Sequence, residues 1–285
     1  MTIYKYLAYH GVDVLRTLQL KVTPPNQFND LFEFTPAAKG GLGDTDLAQL
    51  TSEKAMADIY KQLQSKVPVP DFESFKTLIR RKVSDPNFIL GTEKNLQKTM
   101  TENCRNLCKD VSQFLGLICF ASKRNNLLMW SHYANGHKGI VIGFNSNHRF
   151  FTESTQVRPV NYSPDDQRFA WDSSLNPGDE GYDAMAETFV LTKSHHWQYE
   201  GEMRALLQLD GLEQRSIADG GAGYFLSFPS DLIEEVIIGY RASVATDGAI
   251  RQAMSLHGIS ETKFLRAQPD LLKFDLEFVP AIETR

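Results

Sequence analysis

Three short apolar runs, GLICFAS (116–122), KGIVIGFN (138–145) and EEVIIGY (234–240), constrain this chain more than any other feature. Each is too short for a core helix, rich in β-branched or aromatic residues, and bounded by polar or glycine positions, so each reads as a strand of a core sheet. The aromatic-rich TIYKYLAY (2–9) predicts a first strand and Leu20–Thr23 a short one ended by Pro24-Pro25. WQYEGEMRALLQL (197–209) and ETKFLRAQ (261–268) complete the set. Helical spacing marks the stretch after the first strand (Val14, Leu15, Leu18), RNNLLMWSHYANG (124–136), AMAETFVLTKS (184–194) and TDGAIRQAMSLHG (246–258). In the second of these, Asn125 or Asn126 is the cap and Gly136 the C-terminal stop.

This order predicts an α+β fold with a split or strongly bent, mostly antiparallel central sheet. Residues 40–115 break the pattern: amphipathic spacing over 47–66, an Asp71-capped helix over 71–84 and a third helix over about 92–115 predict a helical insertion or lobe within a single domain of 285 residues. The Pro-, Asp-, Ser- and Gly-rich stretch 158–183 predicts an ordered loop or lid.

Composition excludes several classes. The net charge of -5 leaves no basic footprint for non-specific nucleic-acid binding. Cys104, Cys108 and Cys119 are too few for a disulfide scaffold and lack zinc-finger spacing. The N-terminus lacks signal-peptide organisation, and no apolar run reaches the roughly 18 residues of a membrane span, so a cytoplasmic location without membrane association is expected. P-loop, dinucleotide-binding, nucleophile-elbow and HExxH patterns are absent.

Three segments carry chemistry. In W-Q-Y-E-G-E-M-R, a continuous strand puts Glu200, Glu202 and Arg204 on one face and Tyr199, Met203, Ala205 and Leu207 on the other. Carboxylates at i, i+2 sit roughly 6–7 Å apart by strand rise, close enough for repulsion to make one an acid while Arg204 keeps the other an acceptor. The same face also reads as an ordinary solvated ion-pair ladder. In M-W-S-H-Y-A-N-G-H, Trp130, His132 and Tyr133 offer an aromatic floor for a flat or charged ligand, or else a core aromatic pair beside a satisfied histidine. In F-N-D-L-F-E, Asn29, Asp30 and Glu33 stand among Phe28, Phe32 and Phe34, as site residues or as a turn device. Lys5, inside an otherwise apolar strand, needs a partner if buried, and Glu33 or Glu202 can supply one.

With these segments on the page, the chain resembles a bacterial family known as domain of unknown function 2971. YKY, FND-F-E, ICF, MWSHYA-GHKGIVIGF and K---W-YE-E-R, followed by a VIIG strand, match it in order over most of the chain outside residues 40–110; Leu31 departs from the family's Pro. A more distant resemblance, to ADP-ribosyltransferases, rests on a first strand with a polar residue, a central aromatic segment and a late Glu-x-Glu strand. It implies an NAD-consuming enzyme, a toxin or phage-defence effector, with NAD as substrate and a protein or nucleic acid as acceptor. On that mapping Glu202 is the catalytic glutamate, Glu200 orients substrate, and Trp130 or Tyr133 stacks on NAD. Lys5 or His132 would contact ribose or phosphate, with Asn29 and Asp30 beside them. Lys5 stands where those enzymes have Arg or His, and no Ser-Thr-Ser follows. Two other functions remain open: a metal-dependent nuclease or phosphoesterase using Asp30, Glu33, Glu200, Glu202 and His132, and a non-catalytic sensor or interaction module.

Overall fold

The computed structural model describes residues 1–37, 47, 49–164, 168–171, 175, 177–216 and 222–282. Several of the residues in the 40–115 and 158–183 expectations therefore lie outside the described set. Thirteen strands are found among the described residues: β1 (Thr2–Leu7), β2 (Gln19–Val22), β3 (Leu115–Ala121), β4 (Ile140–Asn145), β5 (Val157–Pro159), β6 (Asn161–Ser163) and β7 (Thr192–Ser194) come first. They are followed by β8 (Glu202–Gln208), β9 (Glu213–Ser216), β10 (Ala222–Ser227), β11 (Ile233–Ile238), β12 (Phe264–Pro269) and β13 (Leu276–Pro280). Eight form one sheet in the order β13-β12-β11-β4-β1-β3-β8-β5, with a three-stranded sheet β2-β10-β9 and a parallel pair β6-β7 beside it. Only β11 and β12 run parallel within the large sheet, so the fold is α+β around a mostly antiparallel sheet.

Strand β4 explains why KGIVIGFN reads as an unbroken apolar run. Ile140, Val141, Ile142 and Phe144 are all fully buried, because both faces of the sheet are covered. Ile140, Ile142 and Phe144 join the main core with Ile3, Phe120, Val236 and the Gly11–Thr17 and Val244–Leu256 helices. Val141 turns to a second core with Tyr6, Trp130, Ile237 and Ala267. This period-two partition fixes the register, since a slip of one residue would exchange the two cores.

The large sheet is weakly joined at one place. Strand β1 pairs with β4 over six residue pairs and β3 with β8 over seven, but β1 and β3 share only Tyr4 with Ala121. Beyond that pair the strands part. Leu117 of β3 instead exchanges two 2.9 Å backbone hydrogen bonds with Thr23, just after β2. The eight strands nevertheless remain one sheet.

The chain divides into two compact units, one of Met1–Thr35, Cys108–Phe169 and Ser173–Arg285, the other of Pro36–Leu107 with Ala170–Asp172. The second contains the helices Glu53–Gln64 and Phe72–Val83 and most of Pro86–Val111. Ser52 and Asp71 cap the first two, each side chain accepting a backbone N–H three residues on. No helix among the described residues is long and apolar enough to cross a membrane.

Candidate active site

A cleft of about 130 Å³ opens where β1 and β3 part, with room for on the order of ten waters or one small ligand group. Tyr4, Lys5 and Tyr6 line it from one strand and Cys119, Phe120 and Ala121 from the other. Phe28 and Asn29 close one side, Met129 and Tyr133 another, and Lys193, Glu200 and Glu202 form the charged wall.

That wall is built by a local break in the chain. The alternation over 197–209 predicted a continuous strand, but His195–Glu200 is a 3-10 turn and the strand begins at Glu202. Gly201 makes the break. Its φ of 53° lies in the left-handed region, and a Cβ there would stand 2.5 Å from the Ser122 hydroxyl oxygen. Ser122 N–H donates to the Gly201 carbonyl at 2.9 Å, tying the kink to the end of β3. From Glu202 onward the alternation holds: Met203, Ala205 and Leu207 face the main core while Glu202 and Arg204 face the charged wall.

The two carboxylates do not repel each other unpartnered, as the strand reading supposed. Lys193, on β7, donates to Glu200 Oε2 at 2.6 Å and to Glu202 Oε2 at 2.8 Å. Burial alone would push the Lys193 ammonium down, but Glu202 and then Glu200 outweigh it and hold its pKa above the usual lysine range. Its charge also lies 5.1 Å from the Trp197 ring centroid, which gives Trp197 a packing role. Arg204, wholly buried, donates to both Glu202 oxygens at 2.8 and 3.3 Å and to the Val190 carbonyl at 2.6 Å, and its guanidinium lies against Glu33. The chain Glu33–Arg204–Glu202–Lys193–Glu200 thus alternates in sign. Alternation is what makes so many buried charges tolerable.

The two glutamates differ in what they have left to offer. Glu202 receives Lys193, two Arg204 contacts and the Cys119 thiol, so its four or so lone-pair sites are taken. Among the described residues Glu200 receives only Lys193 and, at 2.6 Å, the Tyr133 hydroxyl, which leaves acceptor capacity at the cleft. Burial and then the Glu200 contact raise the Tyr133 hydroxyl pKa, so Tyr133 acts as a donor. Burial, followed by the Glu202 charge, pushes the Cys119 thiol well up, which makes it an inert wall rather than a nucleophile. The Glu202 backbone N–H donates to the Tyr162 hydroxyl at 2.7 Å, and burial pushes that phenol up to about 12.

The sequence-derived residues separate clearly. Lys5, Asn29, Tyr133, Glu200 and Glu202 meet at the cleft, with Arg204 directly behind. Lys5 finds a carbonyl rather than the anticipated carboxylate: its ammonium donates to Cys119 O at 2.7 Å, where the parting of β1 and β3 leaves a backbone acceptor free. Burial lowers its pKa. Trp130 does not reach the cleft. It is fully buried beneath it, its indole N–H donating to the Arg124 carbonyl at 2.8 Å, its ring stacked on His137 and edge-on to Tyr6. Of the two aromatics singled out for stacking, Tyr133 lines the cleft and Trp130 does not; Phe28, Tyr4 and Tyr6 line it as well. His132 is exposed on the outer side of its helix, and does not line the cleft. Asp30 also stands off the cleft, its Oδ1 accepting the Phe32 N–H at 2.9 Å while its charge supports Arg204. Lys193 stood in the recognised motif without a site role, and Cys119 carried no signal beyond being a thiol in a strand.

The helix Leu127–His132 sets Tyr133. Asn126 caps it, its Oδ1 accepting Leu128 and Met129 N–H at 3.1 Å each, while its amide donates to the Tyr199 carbonyl. One side chain thereby fixes both the helix that leads to Tyr133 and the turn that carries Glu200.

Residues 129–205 match the model of a family described as "Protein of unknown function (DUF2971)". The matched segment contains Tyr133, Lys193, Glu200, Glu202 and Arg204, whereas Lys5, Phe28, Asn29 and Cys119 lie before it. No curated protein and no solved structure matches the chain. Among the described residues no group of three or more His, Cys, Asp and Glu is placed to hold a metal ion. Three of the carboxylates that the metal-dependent reading would recruit, Glu33, Glu200 and Glu202, are paired with Lys193 or Arg204.

Proposed function

We propose that the cleft binds NAD and cleaves its N-glycosidic bond, as an ADP-ribosyltransferase-like enzyme would. One observation carries the reading: a buried glutamate with spare acceptor capacity, Glu200, faces an aromatic-lined cleft and is fixed by Lys193 and Tyr133. Its position at a parting of the sheet adds support.

In this chemistry the bond between nicotinamide and ribose C1′ breaks heterolytically. The electron pair leaves with neutral nicotinamide, and positive charge develops on the ribosyl group. A preorganised carboxylate is suited to that charge, because it takes a ribose hydroxyl without reorganising. Glu200 fills this role, reversing the assignment that the sequence suggested, while Glu202 anchors Lys193 and Arg204. Phe28, Tyr4 and Tyr6 supply walls for the nicotinamide ring. Water, or a hydroxyl or amine of a protein or nucleic-acid acceptor, then bonds to C1′ and loses its proton. A bacterial origin and a toxin or phage-defence role belong to the same proposal.

The test is nicotinamide release from NAD by the purified protein, alone and with cell lysate. Release is expected, and Glu200→Gln is expected to lower it by roughly a hundredfold or more in a variant that still unfolds cooperatively. Absence of release in both settings, together with no NAD binding by calorimetry, would defeat the proposal. A non-catalytic sensor is favoured by one specific observation, the complete satisfaction of Glu202 by the protein's own donors. Binding of NAD without turnover would select that reading.

A further inference from the structure

Lys5 lines the cleft, yet NAD cleavage gives it no task. Its surroundings are the opposite of those around Lys193, which is shared between Glu200 and Glu202 and stays an ammonium. Lys5 is half-buried on β1 and forms no ion pair among the described residues. Its one hydrogen bond among them is donated to the Cys119 carbonyl at 2.7 Å, and its nitrogen lies 5.9 Å from the Phe120 ring centroid. Burial lowers its pKa; Cys119 and Glu202 oppose that shift, Lys21 reinforces it, and burial prevails. The neutral amine keeps its N–H bond to Cys119 and retains a lone pair that meets no donor among the described residues. Desolvation of this kind turns a lysine into a nucleophile near neutral pH.

Charge selects the ligand. An anion entering the cleft would meet Glu200 and Glu202, whose shared cation is already committed, while burial weakens the attraction of Lys5. A neutral carbonyl compound meets no such opposition, and Tyr4, Tyr6 and Phe28 give it apolar walls. A volume of about 130 Å³ suits a small aldehyde or ketone, or the carbonyl end of a longer molecule.

We propose that Lys5 captures an aldehyde or ketone in the cleft as an imine, a covalent site separate from the glycosidic chemistry of Glu200. Nζ bonds to the carbonyl carbon as the π pair moves to oxygen. One proton passes from nitrogen to that oxygen, giving a carbinolamine. The hydroxyl then leaves as water with the second nitrogen proton while the C=N bond forms. One water is released, and nothing is oxidised or reduced. Glu200, with acceptor capacity at the cleft, takes up and returns the travelling proton. Imine capture does not rest on NAD cleavage, and each can fail alone.

Reductive trapping tests the proposal. The full chain is incubated near neutral pH with one equivalent of benzaldehyde and with sodium cyanoborohydride, which reduces an imine to a stable amine. Tandem mass spectrometry then locates the benzyl group and separates Lys5 from the Met1 α-amine. An ordinary lysine is free base at only about one part in a thousand or fewer near neutral pH. Lys5 is therefore expected to be labelled at least roughly tenfold faster than exposed Lys54 and Lys123, and to lose that advantage in concentrated urea. The wild-type chain is read directly, so the result does not depend on a variant that folds. Labelling of Lys5 no faster than that of Lys54 and Lys123, or an advantage that persists in urea, overturns the proposal. So does an inert Lys5 in a cleft that binds inorganic phosphate by calorimetry, which would assign the residue to anion recognition.

Discussion

Lys193 governs the electrostatics of the cleft, because it is the one cation in contact with both glutamates that line it. Replacing it with Met leaves two buried carboxylates facing each other, and breaking a buried pair in this way costs roughly 3–5 kcal/mol. Urea unfolding of Lys193→Met at neutral pH is expected to show that loss, and a wild-type midpoint would count against the pairing. In the wild type Lys193 has a raised folded-state pKa, so its contribution is complete below the lysine reference of about 10.4 and is lost only as pH rises through the folded value. Lys5 behaves oppositely. Its folded pKa is lowered by burial, so between that value and about 10.4 the unfolded chain binds more protons and stability rises with pH. Lys5→Met is expected to flatten this part of the rise in urea midpoint between pH 7 and pH 10, and an unchanged slope would count against a buried Lys5 charge. At this scale the sequence exposed the residue types but not their partners. Lys5 was legible as a charge in an apolar strand, and Glu200 as one member of a charged strand face. Trp130 misled, because a helix of six residues has too few turns for periodicity to say which face turns inward.

Two short elements aim the side chains of the charged wall and Tyr133, and each depends on one residue. Gly201→Ala would force a side chain into the left-handed region at a cost of about 1–2 kcal/mol and would press on Ser122. The expected result is a lower melting temperature together with loss of nicotinamide release, since the turn carrying Glu200 and the strand carrying Glu202 would no longer be offset. Asn126→Ala removes a helix cap worth about 0.5–2 kcal/mol and the link to the Tyr199 carbonyl. Amide hydrogen exchange is expected to quicken in both Leu127–His132 and His195–Glu200, and acceleration in the helix alone would show that the link is dispensable. The helix and its cap were readable from RNNLLMW, where Asn directly precedes the apolar turn. The kink at Gly201 was not, because period two continues across it in the sequence and only the packing of Ser122 shows why glycine stands there.

On the scale of the whole molecule, the apolar runs were enough to announce a core sheet, but neither that both its faces are covered nor its order. The neighbours of β1 are β4 and β3, which the chain reaches only after the whole Glu53–Val111 helical stretch, and no local pattern encodes such pairings. The segment that matches the family model carries the charged wall, while β1 and β3 carry the opposite side, so the site is a property of the assembled fold. Tyr4 and Ala121 form the only rung between those two strands among the described residues. A ladder with one rung is its own fault line. Amide exchange is expected to be fastest along that seam within the sheet, and a ligand gripping both uprights would serve as the missing rungs, so that recognition stiffens the protein across its middle.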